Sequence, residues 1–149
     1  MSCKRKRRIV CRGWVFCVLV ASSSVATKPA HGGSIVAWGR NNEGQGNVPA
    51  SNTGFIAIAA GGYYNLGLKT DGSIVGWGDN VHGQTIVPAP NIGFVGAAAG
   101  EYHSLGLNPD GSVMAWGFNQ YGQTKVPAPN SGFVGIAAGE LHSLGLKSA

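Results

Sequence analysis

The sequence predicts an all-β chain: a partial β-propeller of about three four-stranded blades, each 39 residues long. Three observations carry this expectation. Many unrelated residue types recur at one fixed spacing. Turn signals sit between apolar runs of about four residues, too short for a helix. No amphipathic run of about ten or more residues, as a helical solenoid of similar period would need, is present in the repeats.

The repeat is read first. Trp38, Trp77 and Trp116 lie 39 residues apart, each followed by Gly. The same step links Gly44-Gln45, Gly83-Gln84 and Gly122-Gln123, and also Val48-Pro49, Val87-Pro88 and Val126-Pro127. It links Gly54-Phe55, Gly93-Phe94 and Gly132-Phe133, then Leu66-Gly67-Leu68, Leu105-Gly106-Leu107 and Leu144-Gly145-Leu146. Within a unit, Phe94 to Ala99 reads as a first strand. Leu105 and Leu107 enter an Asp110-Gly111 turn, and Val113 to Trp116 leave it. Asp-Gly suits a tight hairpin in which both residues take positive φ. Gly78 to Gln84 is a loop. Thr85 to Val87 is expected as a fourth, edge strand, stopped by Pro88, which cannot donate to a ladder. The recurring rings of Trp38, Trp77 and Trp116 are expected in the core, packed between blades.

The first residues read differently. Lys4 to Arg8 form a basic cluster, Gly13 to Ala21 a short apolar stretch, and Ser24 and Ala26 the small residues of a cleavage site. Residues 1–26 therefore read as an export signal, 27–32 as a linker and 33–149 as repeats. The basic cluster alone also fits a nuclear-localisation signal, but the apolar run that follows at once favours export. The expected location is secreted or extracytoplasmic, with membrane contact only during export.

Charge and cysteine content exclude several functions. The formal net charge is +5, but six of the eleven basic residues lie in the first twelve positions. From Thr27 onward the balance is −1, so the body has no footprint for nucleic acid. The three cysteines are Cys3, Cys11 and Cys17, leaving the repeats without disulfide, thiolate nucleophile or cysteine metal ligand. His103 and His142 repeat at one position without the three or four ligands a metal needs. They are expected to bond a neighbouring blade's backbone. Glu101 and Glu140 recur similarly, on loops, with no acid–base partner in the pattern. No phosphate-cradling loop is present. No metal or cofactor is expected, and no catalytic residue.

Positions that vary between copies point to binding. After the fixed Asn come Asn42-Glu43, Val81-His82 and Gln120-Tyr121; after the fixed Ala-Gly come Gly62-Tyr63, Glu101-Tyr102 and Glu140-Leu141. Variable residues on a fixed scaffold mark loop tips, where recognition resides. Tyr63, His82, Tyr102 and Tyr121 are the expected contacts, because aromatic side chains dominate binding hot spots.

The segments Gly100-Glu101-Tyr102-His103-Ser104-Leu105-Gly106-Leu107 and Asp110 to Gln123 carry G-x-x-H-[ST]-L and W-G-x-N-x-x-G-Q elements. Recurring in register from about Gly33 to Lys147, they resemble the repeat of the regulator of chromosome condensation superfamily. That resemblance implies a propeller, typically of seven blades. The longer pattern W-G-x-N-x-x-G-Q-T-x-V-P-A is most similar to secreted bacterial members, including the propeller-type β-lactamase-inhibitory protein. It implies protein binding through loops at a propeller face. Tyr64-Asn65 departs from the His-Ser of His103-Ser104 and His142-Ser143. The count also falls short of a ring: the first copy starts at the Trp-bearing half of its unit and the last stops before its own turn. Closed propellers use about four to eight blades. The chain is thus either part of a longer protein or completes a propeller by self-association. The expected function is an exported, non-catalytic module that binds a protein partner or acts as a scaffold. The alternatives are an inhibitor of a secreted enzyme, a guanine-nucleotide exchange factor-like regulator and a carbohydrate-binding lectin.

Overall fold

The computed structural model describes residues 31–149; the export signal expected at 1–26 lies outside the described residues. Among the described residues all regular elements are strands: β1 (Phe55–Ala60), β2 (Tyr64–Lys69), β3 (Ile74–Gly78), β4 (Gly96–Ala99), β5 (His103–Leu107), β6 (Val113–Gly117), β7 (Phe133–Ala138) and β8 (Ser143–Lys147). They form three antiparallel sheets, in the orders β1-β2-β3, β4-β5-β6 and β7-β8. The sheets stand in a row. Strand β4 packs on β1 and β2, and β7 packs on β4 and β5.

The core follows from the pleat. Alternate residues of a strand face one side. In the inner strands these are Leu66 and Leu68, then Leu105 and Leu107, all buried. Between the first two sheets Tyr64, Leu66, Leu68, Ile74, Phe94 and Trp116 form one apolar cluster. Between the second and third, Leu105, Leu107, Val113 and Phe133 form its counterpart 39 residues on, with Ala98. The phenylalanine rings need room over the inner strand. A Cβ on Gly106 would lie 2.6 Å from the Phe94 ring, so glycine is the residue that lets strand and ring meet.

The sheets have three strands at most, and the expected fourth strand at Thr85–Val87 is a loop. The reason is visible at Ile74. Its N–H donates to Asn91 Oδ1 and its carbonyl accepts from Asn91 Nδ2, both at 2.8 Å. One side-chain amide thus satisfies backbone groups that a fourth strand would pair. Asn130 does the same to Val113 at 2.8 and 2.9 Å, and Asn52 to Ile35 at 2.6 and 2.7 Å. Thr85 still runs close by, since a Cβ on Gly76 would meet its backbone at 2.6 Å.

The hairpin turn also differs from expectation. Among the described residues only glycines have positive φ, so Asp71 and Asp110 do not. Gly72 N–H donates to the Lys69 carbonyl at 2.9 Å and Lys69 N–H to the Ser73 carbonyl at 2.8 Å. The loop is a type I turn closed by a left-handed glycine at φ +80°. Asp71 Oδ1 accepts from Ser73 N–H at 2.9 Å and Ser73 Oγ at 2.7 Å, which holds the turn and lowers the Asp71 pKa. Asp110 and Ser112 repeat this.

The three tryptophans part company. Trp116 is buried and Trp77 half-buried against Phe55, ring centroids 6.5 Å apart. Trp38 is not core: it is 88 % exposed. Its segment joins the first sheet only through an isolated bridge of Gly33 to Phe55. Among the described residues no strand pairs with residues 35–39, so nothing covers its indole.

Candidate functional site

The recurring Asn and Gln of the loop motif shape one loop in each copy. Asn80 Oδ1 accepts from Thr85 N–H at 3.0 Å, and Gln84 Oε1 accepts from His82 N–H at 2.9 Å. Asn119 and Gln123 do the same for Thr124 and Tyr121, both at 3.0 Å. Each loop is then tied to the turn between the first and second strands of its own sheet. Asp79 N–H donates to the Tyr63 carbonyl and Phe118 N–H to the Tyr102 carbonyl, both at 2.9 Å. All these turns and loops lie at one end of the sheets.

That arrangement gathers Tyr63, His82, Tyr102 and Tyr121 into one aromatic strip. The Tyr63 and Tyr102 rings lie 6.5 Å apart, and His82 stands edge-on to Tyr102 at 5.2 Å. Phe118 fills the centre, 4.8 Å from His82, 6.3 Å from Tyr102 and 6.2 Å from Tyr121. The Arg40 guanidinium sits 5.1 Å over Tyr63 and ends the row. Tilted and T-shaped contacts at about 4.5–7 Å are the favourable geometries for aromatic pairs, so the strip holds its own shape. His82 and Tyr121 are exposed, while Tyr63, Tyr102 and Phe118 are half-buried.

Two members of the strip, Arg40 and Phe118, were not among the expected contacts. Arg40, Asp79 and Phe118 occupy the variable position of the Trp-Gly-x-Asn element, and that variation was the signal that could have found them. Asp79 makes a different contact, its Oδ2 accepting from Gln84 Nε2 at 2.9 Å. Where Phe118 replaces it, the Gln123 Nε2 is buried without a partner.

The electrostatics suit recognition. Glu101 beside Tyr102 raises the phenol's pKa, with smaller contributions from burial, Tyr63 and Asp79. Glu101 is half-buried and Glu140 exposed. Among the described residues no group of three His, Cys, Asp or Glu side chains could hold a metal.

Of the two recurring histidines only His103 lies between sheets; His142 is exposed and makes no hydrogen bond to a neighbouring blade among the described residues. His103 Nε2 pairs with Ser143 Oγ at 2.9 Å, a side chain of the next sheet rather than its backbone. Tyr64, in the equivalent place, reaches further: its hydroxyl donates to the His103 carbonyl and pairs with Ser104 Oγ at 2.8 Å. Burial lowers the His103 pKa, helped by the nearby His142, and raises the Tyr64 phenol to about 12. His103 and Tyr64 join sheets, as does the indole N–H of Trp116; the Trp77 indole ties β3 to the loop at Gln45. Trp77 donates to the Gln45 carbonyl at 3.0 Å and Trp116 to that of Gln84 at 2.9 Å.

Residues 55–84 and 94–123 match the family model of the Regulator of chromosome condensation (RCC1) repeat. No curated protein matches the chain. Several solved structures do. Yeast RCC1 (Prp20) bound to Kap60 is 22% identical with a TM-score of 0.63, covering 77% of this chain and 38% of its own. Prp20p from Saccharomyces cerevisiae, described with its binding to Gsp1p and histones, is 20% identical with a TM-score of 0.64, covering 74% and 38%. The CRINKLY WD40 ectodomain of the Arabidopsis thaliana receptor kinase ACR4 is 27% identical with a TM-score of 0.63, covering 76% and 40%. The chain thus spans about two-fifths of the length of these structures. Residues 55–84 and 94–123 are thus similar to the RCC1 repeat, and the chain has the fold of part of a β-propeller.

Proposed function

We propose that this chain is an exported, non-catalytic propeller module that binds a protein partner through the strip of Tyr63, His82, Tyr102, Phe118 and Tyr121. The observation that carries the reading is the strip itself. Five aromatic rings from two sheets converge on loops that the Asn and Gln side chains hold in place. Such pre-ordered rings lose little conformational entropy on binding and act as anchors. The fold neighbours also include protein binders: yeast RCC1 was crystallised with Kap60. Export rests on the composition of residues 1–26. The blades that would complete the ring come from self-association or from further repeats of a longer polypeptide. Inhibition of a secreted enzyme is the form of partner binding that the resemblance to secreted bacterial members supports.

The test is quantitative affinity capture from extracellular protein, with the full chain and its Tyr102→Ala variant on identical supports. The expected result is a protein retained at 1:1 stoichiometry by the wild type and lost at least about tenfold by the variant. Equal retention by both, or retention of glycans alone, contradicts the reading.

A further inference from the structure

Two tyrosines at equivalent positions in successive repeats have opposite surroundings. Tyr63 and Tyr102 stand 39 residues apart, on the turns between the first and second strands of adjacent sheets. Those turns touch. The Gly62 N–H donates to the Gly100 carbonyl at 3.2 Å, and the two phenol rings lie 6.5 Å apart. Tyr63 carries a cation of its own chain, the Arg40 guanidinium, 5.1 Å over its ring. One repeat on, the residue equivalent to Arg40 is Asp79. Among the described residues no lysine or arginine stands over Tyr102.

A second carboxylate sits beside the same ring. Glu101 replaces Gly62 of the preceding repeat. Its side chain runs along the row towards the first sheet: a Cβ on Gly62 would lie 2.9 Å from Glu101 Cγ. Glycine at 62 therefore leaves the room that Glu101 occupies, next to Tyr63. Asp79 is fixed in place, its Oδ2 accepting from Gln84 Nε2 at 2.9 Å and its Oδ1 from the Val81 N–H at 3.3 Å. A carboxylate has about four acceptor sites, so Asp79 keeps acceptor capacity. Both carboxylates, Glu101 most, add to the rise in the Tyr102 pKa, which reports a negative potential at the phenol. The repeat has thus exchanged a cation on one tyrosine for two anions beside the next.

We infer that the strip takes an arginine side chain of the partner, its guanidinium lying on the Tyr102 ring and its N–H groups donating to Glu101. Arg40 on Tyr63 is the same contact made within the chain. Guanidinium suits the place because it is planar, stacks on aromatic rings and presents a fork of N–H donors to a carboxylate. Asp79 adds attraction without moving. The two carboxylates also turn away acidic segments, so charge selects among proteins that the rings alone would admit. This inference rests on the proposal that a protein docks on the strip, and it names the side chain which that protein presents.

Titration of the full chain with acetyl-arginine amide, followed by aromatic NMR, tests it without the partner. The Tyr102 ring signals should shift in a saturable way. Acetyl-citrulline amide, of the same shape without the charge, should bind about fivefold more weakly or less. Glu101→Gln should weaken binding of the arginine probe by a similar factor and leave the citrulline probe unchanged. Glu140→Gln, one repeat on, should change neither. Equal binding of the two probes overturns the inference, as do an unmoved Tyr102 ring and indifference to Glu101→Gln. Affinity capture separates the two proposals: a protein lost by Tyr102→Ala but held equally by Glu101→Gln leaves docking at the strip standing and overturns the arginine contact.

Discussion

Trp116→Ala should be among the most destabilising changes in the chain. The side chain is 7 % exposed, packs in the cluster between the first two sheets and gives its indole N–H to the Gln84 carbonyl. Truncating a buried tryptophan costs about 3–5 kcal/mol. Trp116→Phe keeps most of the ring and removes the donor. The Gln84 carbonyl then still accepts from Ser104, so the loss of the bond itself adds only about 1 kcal/mol. Trp38→Ala, at the equivalent position but 88 % exposed, should cost within about 0.5 kcal/mol. Urea denaturation of the three variants followed by circular dichroism gives the differences. Equal costs at positions 38 and 116 would refute the reasoning, because one motif residue would then count the same exposed and buried.

Other outcomes follow from the same contacts. The folded-state pKa of His103 is lowered, so protonation favours the unfolded chain. Its contribution to stability is complete above the unfolded value of 6.5 and declines as pH falls below it; denaturation midpoints across about pH 5–8 should show this. His103→Tyr, which copies Tyr64, should flatten that acid limb. Tyr64 has the opposite sign. Its phenol is raised from 10.0 to about 12, so its contribution is complete below pH 10 and is lost as pH rises towards 12, a limb absent in Tyr64→Phe. Asn91→Ala leaves the Ile74 backbone without its amide clamp and should cost about 1–3 kcal/mol in urea. Asn52→Ala, whose partner Ile35 lies outside the sheets, should cost less.

Much of the fold was legible because repetition multiplies a weak local signal. One short run such as Leu105-Gly106-Leu107 is ambiguous, but three in register with a turn after two of them fix strand, turn and sheet together. The variable pairs between fixed motif residues, among them Tyr63, His82, Tyr102 and Tyr121, read as loop tips for the opposite reason, and the structure brings these four rings to one end of the sheets. The fourth strand misled because Thr85-Ile86-Val87 has strand-like composition. What prevents pairing there is Asn91, 17 residues from Ile74, and a local reading of Thr85–Val87 cannot see it. Asn52, Asn91 and Asn130 do recur at the repeat spacing, so the period marked them without disclosing what they bind. Phe118 escaped because it stands inside the most constant motif of the chain. Trp38 misled because burial belongs to a neighbouring sheet, not to the residue.

If the aromatic strip is the surface on which a protein docks, its rings must feel the partner directly. Aromatic NMR spectra of the full chain, recorded with and without the captured partner, test this most directly. Tyr63, His82, Tyr102, Phe118 and Tyr121 should shift or broaden together while the Trp116 indole between the sheets does not. Shifts confined to other surfaces, with these five rings unchanged, would contradict docking at the strip.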